Sequence, residues 1–282
     1  MGAAMGNPSA RRARVLTFAN QKGGSGKSLG ANLFAKILAE RGDSVLVVDC
    51  DDQAGNLSSD LGADKALPGL AELVRATLGE APDLPSGYSQ TVDAKGAIDV
   101  VAGSTNLAAV NVELSSPGAI GRESVLRRAL ERYLSSYDWV VIDTAGDFSV
   151  LSLAALVASD DVLVPCRATA SSVQGAATIV RLCAQVRESY NPRLSVAGVF
   201  LNDFNSQALV HRDLAGTVAR ICEASSVRLM SARLRHSTKA DALVSYSKGV
   251  SELSRGTVRR GLAMDAACLV DEYVGVSMGG EA

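Results

Sequence analysis

Apolar residues fall along this chain in short continuous runs, and amphipathic stretches alternate with them. The runs at 15–19, 44–48, 98–102, 139–143, 161–166 and 195–202 are too short for helices and lack the alternation of a half-exposed strand. They predict strands buried on both faces. Residues 28–40 place Leu29, Leu33, Ile37 and Leu38 at helical spacing, and Arg41, Gly42 and Asp43 read as the stop. Further helices are predicted over 123–134, 173–188, 207–224, 239–246 and 251–274, with a last short strand at 227–230. Strands and helices in this order predict an α/β fold, a single doubly wound, mostly parallel sheet flanked by helices. Residues 15–274 make that domain, with a flexible basic arm at 1–14 and a flexible tail at 275–282. The stretch 79–96, carrying Pro82 and Pro85, reads as an irregular surface excursion.

Composition narrows the class. Of 282 residues, 47% are apolar and 21% charged, the profile of a globular protein with a sizeable core. Only 4% are aromatic, so Ala, Val and Leu carry the packing. No apolar run approaches the roughly 20 residues that span a bilayer. No apolar segment follows Arg11, Arg12 and Arg14 as a signal peptide requires, and a cytoplasmic location is expected. Cys50, Cys166, Cys183, Cys222 and Cys268 are widely spaced with no CxxC pair, which excludes a zinc, redox or cluster motif. They read as small buried hydrophobes. Net charge is −2, but unevenly spread: residues 1–180 hold 15 Lys and Arg against 20 Asp and Glu, and residues 181–282 hold 13 against 10. That asymmetry is compatible with a basic face late in the chain.

The strongest chemical signal lies between the first strand and the first helix: Asn20, Gln21, Lys22, Gly23, Gly24, Ser25, Gly26, Lys27 and Ser28. Glycines let the backbone aim successive N–H groups at phosphate oxygens, and the helix N-terminus adds its dipole. Lys27 then reaches the β- and γ-phosphates while the Ser28 hydroxyl ligates Mg²⁺. Gln21 stands where an ordinary Walker motif has glycine, and Lys22 is an additional lysine. KGGSGKS resembles the deviant Walker A motif of the ParA/MinD family, to which nitrogenase iron protein is also related. The resemblance implies that Lys22 crosses a dimer interface to the partner's nucleotide, so that ATP binding and homodimerisation are one event. On residues alone Lys22 is a solvated loop lysine.

Two further segments extend the resemblance. Asp49, Cys50, Asp51, Asp52 and Gln53 look like the family's D-x-D-P-Q switch I, which assigns Asp51 to the attacking water; Asp52 replaces the proline. Val140, Val141, Ile142 and Asp143 read as Walker B, whose acid holds Mg²⁺ at the strand's carboxyl end. Ala145 and Gly146 follow where ParA proteins commonly have two prolines, closer to the MinD branch. Asn202 ends a later strand at the position where the family contacts adenine; a local turn is the alternative reading.

The implied function is an ATPase switch for DNA segregation or cargo positioning, with ATP and Mg²⁺ as cofactors. It would bind nonspecific double-stranded DNA as the ATP homodimer, on the nucleoid, and a ParB-like partner would trigger its slow hydrolysis. Arg187, Arg193, Arg212, Arg220, Arg228, Arg233 and Arg235 are the DNA-facing candidates. No helix-turn-helix segment precedes the domain, which argues against operator binding. The alternatives are a MinD-like membrane-surface regulator and a metabolic P-loop enzyme of amidoligase type. The first needs a basic amphipathic C-terminal helix, whereas the end of this chain carries Asp271, Glu272 and Glu281 with no basic residue.

Overall fold

The computed structural model describes residues 12–52, 56–79, 88–92, 97–118, 121–147, 149–237 and 261–278. In chain order the elements are β1 (Arg14–Phe18), α1 (Lys27–Arg41), β2 (Val45–Cys50), α2 (Asn56–Asp60), α3 (Leu70–Leu78), β3 (Gln90–Thr91), β4 (Ile98–Val101), α4 (Asn106–Ser115), α5 (Val125–Leu130), β5 (Trp139–Thr144), α6 (Val150–Ala158), β6 (Asp161–Arg167), α7 (Ala170–Ser189), β7 (Ser195–Asn202), α8 (Leu209–Ala224) and α9 (Leu262–Met278). The seven strands pair in the order β3-β4-β2-β5-β1-β6-β7. Every pairing is parallel except that of β3 with β4.

Every residue of β2 and β5 is buried, because helices cover both faces of the sheet. On one face α1 and α9 pack Leu33, Phe34 and Ile37 against Leu269, Val270 and Tyr273. On the other, Leu70 and Leu73 of α3, Val110 of α4, Leu126 of α5 and Leu151 of α6 close over β2, β4 and β5. A third cluster joins α7 and α8 to β6 and β7. The few aromatics concentrate where α9 closes the sheet. Phe34 contacts Phe18 edge-on at 5.0 Å, and Tyr273 stands 5.8 Å from Phe34 and 5.9 Å from Trp139.

The mostly parallel sheet matches the sequence expectation; helices α2, α3, α4 and α6 and strand β3 were not expected, and several local corrections follow. The strand expected at 227–230 is a single bridge between Leu229 and Val199. The helix expected at 123–134 is a 3₁₀ turn (Arg122–Ser124) followed by α5, and residues 131–136 are turns. The excursion at 79–96 is described only in part. There Tyr88 is 2% exposed and Gln90–Thr91 pairs antiparallel with β4, so this stretch supplies core and a sheet edge as well as surface. Arg12 and Arg14, expected in a free arm, are tied to Asp160 and Asp161. Helix α9 continues to Met278, over the first four residues expected in the tail. Four cysteines are buried as expected and Cys268 is exposed. The helix expected at 239–246, the start of the one expected at 251–274 and residues 1–11 lie outside the described residues.

Candidate active site

Parallel strands deliver their carboxyl ends to one edge, and register fixes which side chains meet there. Phe18 of β1 and Asp49 of β2 both pair with Asp143 of β5. The two acids therefore lie on one side of the point where the chain leaves β1 for the glycine loop, Asp143 on the adjacent strand and Asp49 on the next. Gly26 caps α1 with φ 103°, a left-handed conformation that glycine adopts without strain. A Cβ there would also overlap the amide of Asn202. That amide donates from Nδ2 to the Ser25 carbonyl at 2.9 Å, so Asn202 braces the phosphate loop. Sequence reasoning gave Asn202 to adenine and missed this role. At the loop's other end, Asn20 donates to the carbonyls of Pro165 at 2.7 Å and Ser172 at 3.2 Å.

Lys27 is buried, and its ammonium donates to the Lys22 carbonyl at 3.4 Å across the loop. Burial lowers its pKa, while Asp143, Asp51 and Asp147 pull the other way. The Lys22 side chain is exposed at the rim. Asp143 is fully buried beside Ser28, whose hydroxyl favours its charged form, and neither carboxylate oxygen has a partner in full hydrogen-bond geometry. Burial, and after it the neighbouring Asp49, pushes its pKa well above the usual carboxylate range. A buried carboxylate with two unpaired oxygens next to a hydroxyl is a donor set suited to a hard divalent cation. The residues fit magnesium.

Asp49 has a different fate. Its carboxylate accepts from the Ser58 amide at 3.0 Å, the Ser58 hydroxyl at 2.5 Å and the Asp51 amide at 3.1 Å. Ser58 in turn accepts from the Gly103 amide at 3.0 Å. Asp49 is thus the hub that holds switch I, and Asp51 projects from it into the cleft. Asp52 is half-buried, and burial, then Asp147 and Asp51, raise its pKa. Across the cleft, a Cβ on Gly146 would stand 2.9 Å from the Gly23 nitrogen. Only glycine lets the segment after β5 lie directly on the phosphate loop.

The cleft has a volume of about 680 Å³ and is lined by the loop glycines, Lys27, Ser28, Asp51 and Asn202. Structure thus gathers Gly23, Gly24, Gly26, Lys27, Ser28, Asp51 and Asn202 around one space, with Ser25 buried behind the loop and Asp143 beneath it. Arg167, Asp203 and Arg235 line the same space and were not foreseen there. A larger cavity, about 750 Å³, opens at the amino ends of the strands, where Arg12 and Arg14 are paired with aspartates. Most of its charges are paired, Arg12, Arg14 and Arg41 with Asp160, Asp161 and Asp271.

The arginines proposed to face DNA do not share one end of the sheet. Arg187 closes α7 and Arg193 lines the amino-end cavity. Arg235 lines the cleft and is bonded twice to Asp265, at 2.6 Å each. Arg212 and Arg220 are exposed on α8, Arg228 is exposed before the bridge to β7, and the Arg233 guanidinium lies 4.9 Å from the centre of the Phe204 ring. Strand polarity is what separates residues 187 and 193 from 233 and 235.

A family model described as an AAA domain matches residues 13–196. The chain is 34% identical over 213 residues to the chromosome partitioning protein ParA of Caulobacter vibrioides, which covers 74% of this chain and 77% of that protein. Its fold is similar to that of cobyrinic acid a,c-diamide synthase from Mycobacterium smegmatis, a structure with ADP and magnesium bound. That match has a TM-score of 0.70 and 27% identity over 89% of this chain and 98% of that one. The Cyanothece McdA–ATP complex matches with a TM-score of 0.77 over 96% of this chain and 97% of that one; at 19% identity, the likeness is one of fold.

Proposed function

The chain belongs to the ParA/MinD family of P-loop ATPases, and from that premise we propose that it is an ATP-driven dimerising switch that positions DNA or another cargo. One observation carries the reading: the glycine loop, the buried Lys27 and Ser28 line a single cleft, the buried Asp143 carboxylate lies beside Ser28, and Lys22 is exposed in the same loop. The loop amides and Lys27 would hold the phosphates. Ser28 and Asp143 would hold magnesium, which when bound screens the phosphate charge. Asp51, fixed through Asp49, would orient the water that attacks the γ-phosphorus, so that ATP and water give ADP and phosphate. Lys22 would reach the partner's nucleotide and make hydrolysis depend on association.

In this reading the ATP dimer binds nonspecific DNA through exposed arginines, among them Arg212, Arg220 and Arg233, and a ParB-like activator releases it. The test is double-stranded DNA binding by the Asp51→Ala variant with ATP and with ADP across a salt series. Binding with ATP that weakens steeply with salt is the expected result. Equal binding with both nucleotides, or none, overturns the DNA part of the reading. Likeness to the diamide synthase favours a second reading, amide-forming ligation driven by ATP. ATP turnover that requires a small carboxylate acceptor would establish it. A membrane-surface role has less support. Helix α9 contains Asp265, Asp271 and Glu272 and no Lys or Arg, and among the described residues no helix is long and apolar enough to cross a membrane.

A further inference from the structure

Among the described residues three cations line the cleft: Lys27, Arg167 and Arg235. Two are firmly committed. Lys27 is buried against the Lys22 carbonyl, and Arg235 is held by both oxygens of Asp265. Arg167 is held differently. It ends β6, its side chain is 45% exposed, and one guanidinium nitrogen, Nη2, bonds to Oδ2 of Asp203. Its other terminal nitrogen, Nη1, stands 3.9 Å from the position a Cβ would take on Gly24, within the phosphate loop.

Asp203 is the fixed member of this pair. It follows Asn202 directly and has φ 54°, one of two non-glycine residues with positive φ among those described. Its second oxygen, Oδ1, shares a hydrogen bond of 2.5 Å with His236 Nδ1. Burial works against the charged form, yet the contacts from His236 and Arg167 carry its carboxyl below the usual range. A positive φ, which aspartate tolerates better than most residues, fixes the direction in which this side chain leaves the backbone. Here it aims a carboxylate at the one cleft cation, among the described residues, that is held through a single exposed contact. An ion pair this exposed contributes little to folding, and a guanidinium fork suits phosphate as well as carboxylate.

We propose that Arg167 is a phosphate-contacting residue whose availability is set by Asp203: the carboxylate and the phosphate tail of a bound nucleoside triphosphate compete for the same guanidinium. Affinity for nucleotide is then tuned downward by Asp203 and upward by Arg167. The inference rests on the nucleotide reading of the cleft and makes a demand of its own, that the two members of one ion pair act with opposite sign. A pair that merely braces the fold would act with the same sign.

The experiment is titration of the full chain with a fluorescent ATP analogue at fixed magnesium, for the wild type, Lys27→Ala, Arg167→Gln, Asp203→Asn and the Arg167→Gln/Asp203→Asn double variant. Asparagine tolerates positive φ as well as aspartate does, so Asp203→Asn removes charge and leaves the backbone in place. Arg167→Gln is expected to weaken binding about tenfold, the worth of a charge-assisted hydrogen bond. Asp203→Asn is expected to tighten it about threefold, a modest gain suited to an exposed pair. That gain should vanish when residue 167 is already Gln. Weaker binding in both single variants, or a gain from Asp203→Asn that persists in the double variant, overturns the inference. A wild type that binds no nucleotide, or binds it no better than Lys27→Ala, overturns the nucleotide reading beneath it.

Discussion

Apart from the well-bonded Asp49, the two ends of the sheet provide for their polar atoms differently. At the amino end Asp160 accepts from Arg12 and the Val15 amide, and Asp161 from Arg14 at 2.6 Å and the Tyr273 hydroxyl at 3.0 Å. Asp138 accepts from the amide and hydroxyl of Ser44, and Asp43 from the indole of Trp139. At the carboxyl end both oxygens of Asp143, Ser25 Oγ and Asn20 Oδ1 are buried without a partner in full hydrogen-bond geometry. An unsatisfied buried group opposes folding, and a satisfied one does not. One end is therefore arranged for stability and the other for a ligand that supplies the missing partners.

Asp143→Asn should part the two ends most sharply. With no bound nucleotide the variant is expected to be no less stable than the wild type, because burial already disfavours the charged carboxyl that it removes. Magnesium-dependent ATP affinity should fall by about a hundredfold or more with the loss of a charged ligand. Denaturant unfolding alongside nucleotide titration checks both, and a destabilised variant would break the comparison. The mirror experiment is Arg14→Leu, which leaves Asp161 buried with Tyr273 as its remaining side-chain partner. Stability should drop by about 2 kcal/mol, less than for a fully buried pair because Arg14 is partly exposed. ATP affinity should hold, and a parallel loss of affinity would show that the two ends are coupled. The smallest effect is expected from Gly146→Ala. The added methyl must push the Gly23 backbone from its 2.9 Å approach, weakening ATP binding about tenfold while the melting temperature barely moves.

Much of this arrangement is legible in the sequence because its causes are local. The run from Trp139 to Asp143 is buried at every residue, as its unbroken apolar character requires, and the glycine loop lies directly between a strand and a helix. Asp143 and Lys27 fall where strand polarity sends them. What escaped was set by distant neighbours. Leu107, Val110 and Leu114 carry helical spacing, yet the exposed Ala108, Ala109 and Val112 blur the polar face that would set it off. Tyr88 lies in a stretch full of glycine and proline and is buried only because α-helical and strand surfaces meet over it. Asp49 looked like one more acid in a switch, and its bonds to Ser58 appear only when α2 folds back. Arg167 and Asp203 are 36 residues apart, and nothing in the sequence near either announces the other.

The brace between Asn202 and Ser25 links positions separated by 177 residues. A ribosome releases the glycine motif long before it releases Asn202, and β7 must dock on β6 before the amide reaches the loop. Nascent chain bearing the whole motif therefore still lacks the finished cradle. A chain that ends before β7 has the glycine loop without its Asn202 brace.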